Sequence, residues 1–173
     1  GLARIDQEDY EGAISDFENA RKYGTVDAKI FYLLGLAYFD LGEYSRALFN
    51  YEKAVEGGEK SAEIYLNRGI CYYELEDHAS AIADFNLAAA ENPNLKEIYT
   101  YRSRAFLAVG DTRSAGADLS TMIKFDPSNP EPYYYRAQLM EATDNYGAAI
   151  ADYNKIIELL PENPEGYFLR GKA

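Results

Sequence analysis

The sequence contains no tryptophan, one cysteine and one histidine among its 173 residues. A lone cysteine, Cys71, excludes an internal disulfide, and a lone histidine, His78, leaves almost no ligand set for zinc or for a histidine-based triad. Basic residues are scarce as well. Seventeen Lys and Arg stand against 29 Asp and Glu, a net charge of −12, with no local basic stripe; phosphate backbones and anionic lipid surfaces therefore repel the chain, which predicts neither a nucleic-acid partner nor membrane contact. Purely apolar runs stop at about five residues, against the ~20 that a spanning helix needs. The N-terminus lacks the charged and apolar layout of a secretory signal. What is abundant is apolar character in short stretches, 47% of the residues, enough for a sizeable core.

Those stretches are periodic. The segment from Tyr65 to Tyr72 returns at Tyr99 to Phe106 and at Tyr133 to Met140, and begins again at Tyr167, each time 34 residues on. Full units span 28–61, 62–95, 96–129 and 130–163, with partial units at 1–27 and 164–173. With slots numbered from the start of each unit, slot 8 is small (Gly35, Gly69, Ser103, Ala137, Gly171) and slot 20 is always alanine (Ala13, Ala47, Ala81, Ala115, Ala149). Backbones are expected to approach closely there. Large apolar residues fill slot 4 (Phe31, Tyr65, Tyr99, Tyr133, Tyr167), slot 11 (Tyr38, Tyr72, Phe106, Met140) and slot 24 (Phe17, Tyr51, Phe85, Leu119, Tyr153). Slots 4, 8 and 11, like slots 20, 24 and 27, lie three or four residues apart, so each unit is predicted to carry two amphipathic helices. Gly42 and Gly110 mark the turn between them. Proline at slot 32 (Pro93, Pro127, Pro161) stops the second helix.

The 34-residue period and the aromatic, small, aromatic, Ala, aromatic, Pro order resemble the tetratricopeptide repeat, over essentially the whole chain. Two departures stand out: slot 4 holds Tyr or Phe where the family usually has Trp, and slot 32 is Thr25 and Glu59 in the first two units. Gly24 and the Gly57-Gly58 pair are expected to make those two turns instead. The resemblance implies an all-α, right-handed superhelical solenoid of helix-turn-helix repeats, whose units bury their apolar faces only by stacking. Because residue 1 falls at slot 8 and residue 173 at slot 10, with no polar capping helix after it, the sequence is expected to be a piece of a longer array.

The singular residues read as structural once compared across units. Cys71 shares slot 10 with Ala37, Ala105 and Leu139, which predicts a small buried residue. His78 shares slot 17 with Tyr44 and Tyr146, which predicts a partly exposed ring beginning a second helix. No calcium-loop spacing, phosphate loop or dinucleotide fingerprint is present. Neither a cofactor, a metal nor a catalytic set is expected. One charged pattern is informative: Arg68, Arg102 and Arg136 at slot 7 accompany Asp84, Asp118 and Asp152 at slot 23, and where slot 7 is Leu34, slot 23 is Asn50. The joint change predicts ion pairs inside each unit.

Of the 17 tyrosines, those outside slots 4, 11, 17 and 24 are Tyr23, Tyr32, Tyr73, Tyr101, Tyr134 and Tyr135. The family resemblance implies a concave groove lined mainly by slots 2, 5, 9, 12 and 13 of the first helix. Candidate groove residues here are Tyr32, Leu36, Phe39, Ile70, Tyr73 and Tyr134 as anchors, with Glu74, Arg104 and Gln138 as polar contacts. The same rings have an alternative use, packing against one another across adjacent first helices. Glutamate at slot 2 (Glu63, Glu97, Glu131, Glu165) would make an acidic edge suited to basic ligands, although the helix dipole alone favours a carboxylate in a first turn. Of the family's carboxylate clamp, only Asn67 at slot 6 matches, so no clamp is predicted.

These features point to a protein-interaction scaffold that holds a peptide segment of a partner in the groove. Self-association through apolar end faces and service as a targeting segment of a larger enzyme are the alternatives. The lone cysteine is compatible with the cytoplasm and with an extracytoplasmic parent that has shed a leader, so the compartment is left open.

Overall fold

The computed structural model describes residues 1–5, 7–24 and 27–173, so Thr25, the first departure at slot 32, lies outside the described residues. Every regular element among them is a helix. None is long and apolar enough to cross a membrane. The chain divides into two compact units, Gly1–Ile98 and Tyr99–Ala173.

The first unit contains α1 (Leu2–Ile5), α2 (Tyr10–Lys22), α3 (Ala28–Asp40), α4 (Tyr44–Glu56), α5 (Ala62–Glu74) and α6 (His78–Glu91), and ends in the first turn of α7 (Lys96–Ala108). The second takes the rest of α7 with α8 (Thr112–Phe125), α9 (Glu131–Ala142), α10 (Tyr146–Leu159) and α11 (Pro164–Lys172). Neighbours in sequence are neighbours in space: α3 packs on α4, α5 on α6 and α9 on α10, and α4 also meets α5 as α8 meets α9.

The boundaries follow from local chemistry. Asp9, Asp77, Asp111 and Asn145, all at slot 16, accept a hydrogen bond from the backbone N–H three residues on, satisfying one of the orphan donors that begin α2, α6, α8 and α10. Just before them the backbone turns left-handed at slot 15 in every repeat. Gly42 and Gly110 do this at φ +72° and +79° without strain, but Glu8, Glu76 and Asp144 do it at +59°, +63° and +57°. Second helices stop in two ways. Gly24 and Gly58 leave at φ +111° and +102°, as expected for the units without proline. Asn92 and Asp126 are instead extended, at φ −142° and −143°, because Pro93 and Pro127 bar the helical region to the residue before them.

The core sits where the small slots predict it. Ala13, Ala47, Ala81, Ala115 and Ala149 have no exposed surface. At slot 8 a Cβ on Gly35 would lie 2.6 Å from the Tyr51 ring, and one on Gly69 would lie 2.6 Å from the Phe85 ring. In the second unit Tyr133, Ala137, Ala149, Tyr153 and Ile156 form one buried cluster.

Candidate functional site

Three arginines brace the repeats from inside. Arg68 grips Asp84 through Nε and Nη2 at 2.6 and 2.7 Å, Arg102 grips Asp118 at 2.8 and 2.7 Å, and Arg136 grips Asp152 at 2.9 and 2.6 Å. Each pair lies within one repeat, as the joint change at slots 7 and 23 predicts. The aspartates are 5 to 8% exposed, and each guanidinium also lies over the slot-4 ring of its own helix, Tyr65, Tyr99 or Tyr133, at 5.4 to 5.8 Å. These bidentate, ring-stacked charges are committed to the scaffold. The exception repeat holds Leu34 with no exposed surface, and its Asn50, also buried, donates from Nδ2 to the Arg46 carbonyl at 2.8 Å.

In the first unit, α3 presents Tyr32, Leu36 and Phe39 half-buried. The Tyr32 ring tilts on Tyr51, with centroids 6.2 Å apart. Burial first, and then the Glu63 and Glu59 carboxylates, push its phenol above the ordinary range. Phe39 meets Tyr44 edge-on at 5.8 Å, and Tyr73 leans on His78 at 5.2 Å. Both rings are therefore pinned by the residue that starts the second helix of their own repeat, rather than by a ring on an adjacent first helix. Glu74 is exposed beside Tyr73 at the end of α5. Ile70 differs from the sequence reading: it is 6% exposed and leaves little surface to a partner. Cys71 is fully buried and its thiol is pushed up to about 12 by that burial, so it offers no thiolate near neutral pH.

In the second unit, two cavities among those present are lined by residues of first helices and their neighbours. The smaller, about 110 Å³, lies between Arg104 and Leu107 of α7, Leu119 and Met122 of α8, and Glu131 and Tyr135 of α9. The larger, about 340 Å³, lies on the other side of Tyr135, bounded by Glu131, Tyr134, Ile156, Leu160 and Glu165. The structure thus brings Arg104 to one cavity and Tyr134 to the next, while Gln138 is exposed and lines neither. Tyr135 lines both. Slot 6, where it stands, is outside the groove set that the resemblance implies; only its place among the surplus tyrosines signals it. The Tyr134 and Tyr135 rings stand nearly perpendicular, at 77°, with centroids 5.7 Å apart. Tyr134 packs against the cluster that holds Tyr153, whose hydroxyl is buried and whose phenol is pushed up to about 12 by burial and then by Glu141.

The comparisons with known proteins agree with this architecture. A model of the family described as "Tetratricopeptide repeat" matches residues 1–56, 32–95 and 102–164. No curated protein matches in sequence. Among solved structures, YrrB, described as a tetratricopeptide-repeat protein with an unusual peptide-binding site, superposes with a TM-score of 0.86 at 18% identity, over 98% of this chain and 88% of that one. MamA gives 0.82 at 20% identity, over 99% and 96%. A tetratricopeptide repeat protein from Parabacteroides merdae gives 0.78 at 22% identity, over 99% and 68%. At these identities the likeness carries the fold alone, an all-α solenoid of helix-turn-helix repeats. On the family match over most of its length, the chain belongs to the tetratricopeptide repeat family.

Proposed function

We propose that the chain is a protein-interaction module that holds an extended or helical segment of a partner against the first-helix face of its repeats. The reading rests chiefly on two tyrosines of α9: Tyr135, which lines cavities of about 110 and 340 Å³, and Tyr134, which lines the second of them. Rings with an apolar body and a polar tip, beside cavities with aliphatic linings, suit the capture of side chains from a second polypeptide. In the first unit Tyr32, Leu36, Phe39 and Tyr73 supply comparable surface, with Glu74 as a polar neighbour. Membership of a family whose repeats generally mediate protein–protein contacts is consistent with this, as is the peptide-binding site named for YrrB.

The test is selection of peptides from a random displayed library on the intact chain, followed by titration against variants. Tyr134→Ala and Tyr73→Ala are each expected to weaken the peptides that use their unit at least tenfold, with the helical circular dichroism unchanged. Selected peptides that bind both variants as tightly as the unaltered chain would overturn the reading.

A further inference from the structure

The 340 Å³ cavity of the second unit has a chemistry more specific than a generic groove. Its upper walls are the Tyr134 and Tyr135 rings, set at 77° to one another so that they form a corner. Ile156 and Leu160 give it an apolar lining, and Glu131 and Glu165 line it as well. No lysine or arginine lines it. The ion pairs of this unit are Arg102–Asp118, Arg136–Asp152 and Lys155–Glu158, and neither Glu131 nor Glu165 has a basic partner within 4.0 Å among the described residues.

Resting on the interaction reading above, we propose that this cavity receives the side chain of a lysine or arginine from the partner segment. The cation sits in the corner of the two rings, between the two carboxylates, and its aliphatic stem lies along Ile156 and Leu160. The electron-rich faces of tyrosine attract a cation, and the attraction grows as the site dries. An anionic side chain, a phosphorylated residue included, would meet two unneutralised carboxylates. An uncharged apolar side chain would strip water from them without return. A basic side chain satisfies the rings, the acids and the apolar lining together, as only an amphipathic cation can. The net charge of −12 steers such a segment toward the protein from a distance.

A first-turn position accounts for a carboxylate at Glu131 and at Glu165 through the helix dipole. It does not account for two tyrosine rings and an aliphatic lining around the same space. In the first unit the Glu63 carboxylate, at the same slot as Glu165, likewise acts on Tyr32, at the same slot as Tyr134, helping burial to push its phenol up.

The experiment uses the intact chain and two small probes of equal stem length, Nα-acetyl-lysine N-methylamide and its norleucine counterpart. Nuclear magnetic resonance follows the Tyr134 and Tyr135 rings and the Ile156 and Leu160 methyls. The lysine probe should shift these signals saturably, with the norleucine probe at least fivefold weaker. The exposed-residue variants Glu131→Gln and Glu165→Gln should each weaken the lysine probe at least threefold with the helical circular dichroism unchanged. Equal binding of both probes, or lysine shifts that are absent from this cavity or unchanged in both variants, would overturn the proposal. The two readings fail separately. Selected peptides that lose affinity for Tyr134→Ala but keep it for Glu165→Gln leave the interaction reading standing and reject the cation site; peptides unaffected by either substitution count against both.

Discussion

Arg136 reaches out of its own repeat: while Nε and Nη2 hold Asp152, Nη1 donates to Ser120 Oγ, in the repeat before, at 3.0 Å. Arg170 makes the same reach to Asn154 Oδ1 at 2.7 Å. In the first unit Glu52, at the slot equivalent to Ser120, accepts from the Tyr72 hydroxyl at 3.1 Å. Slot 25 is thus a polar stitch between one repeat and the next, supporting cohesion that apolar stacking otherwise supplies alone.

The two halves of the Arg136 contact should differ in cost. Arg136→Ala leaves Asp152 buried and unpaired and is expected to lose about 3 kcal/mol or more, whereas Ser120→Ala, which removes one partner of a part-exposed hydrogen bond, should lose about 1 kcal/mol. Urea unfolding of the two variants checks the ranking, and equal losses would mean the guanidinium is held by the stack rather than by its acid.

The exception repeat allows a complementary test. Leu34→Arg alone places a charge at a buried position with no acid to meet it, and should cost about 3 kcal/mol or more. Adding Asn50→Asp rebuilds the pair found in the other repeats and should recover about half of that loss. A double-mutant cycle by thermal melting reads the coupling, which must be favourable if slots 7 and 23 are interchangeable cassettes.

Left-handed backbone at slot 15 predicts an asymmetry between repeats. Glu76→Gly and Asp144→Gly relieve a conformation at φ +63° and +57° that L side chains adopt at a cost, and should each stabilise by about 1 kcal/mol. Gly42→Ala and Gly110→Ala should destabilise by a similar amount. Melting temperatures that move the other way would show that the side chains of Glu76 and Asp144 make contacts worth more than the strain.

The helix caps give the stability a definite pH dependence. Hydrogen bonds from the Ser80 side chain and then its backbone hold the Asp77 carboxyl below the usual range, and those from the Ser114 backbone and then its side chain do the same for Asp111. A carboxyl whose folded pKa is depressed contributes stability that is complete above its unfolded value near ~4 and is lost as pH falls through the lower folded value. Unfolding free energy should therefore drop on acidification below pH ~4, and Asp77→Asn with Asp111→Asn should flatten that drop while keeping the caps. An unchanged acid limb in the double variant would place the dependence on other carboxylates.

Much of this could be read from one line of residues. The 34-residue period locates every helix pair, because slots 8 and 20 tolerate only residues small enough for Gly35 to lie against Tyr51 and for Ala47 to vanish into the core. The Arg68–Asp84 type of pair was legible from Leu34 and Asn50 changing together. The candidate site was legible only in part. Tyr32, Leu36, Arg104 and Tyr134 follow from slot numbers, but a slot number gives only the direction in which a residue leaves its helix. Ile70, chosen by the same rule, is buried, and Tyr135, passed over by it, lines two cavities.

The sequence by itself determined the period, the helix ends, the small contact slots and the pairing of buried charges, since each follows from chemistry within a turn or two of chain repeated at a fixed interval. Tertiary structure alone decided which aromatic rings were consumed by their neighbours and which were left standing over open space. That outcome depends on how far Phe39 or Tyr73 lies from the next helix's first residue, and on how α9, α10 and α11 leave a gap around Tyr134. Such distances are set by the volumes of side chains remote in sequence, and no local pattern encodes them.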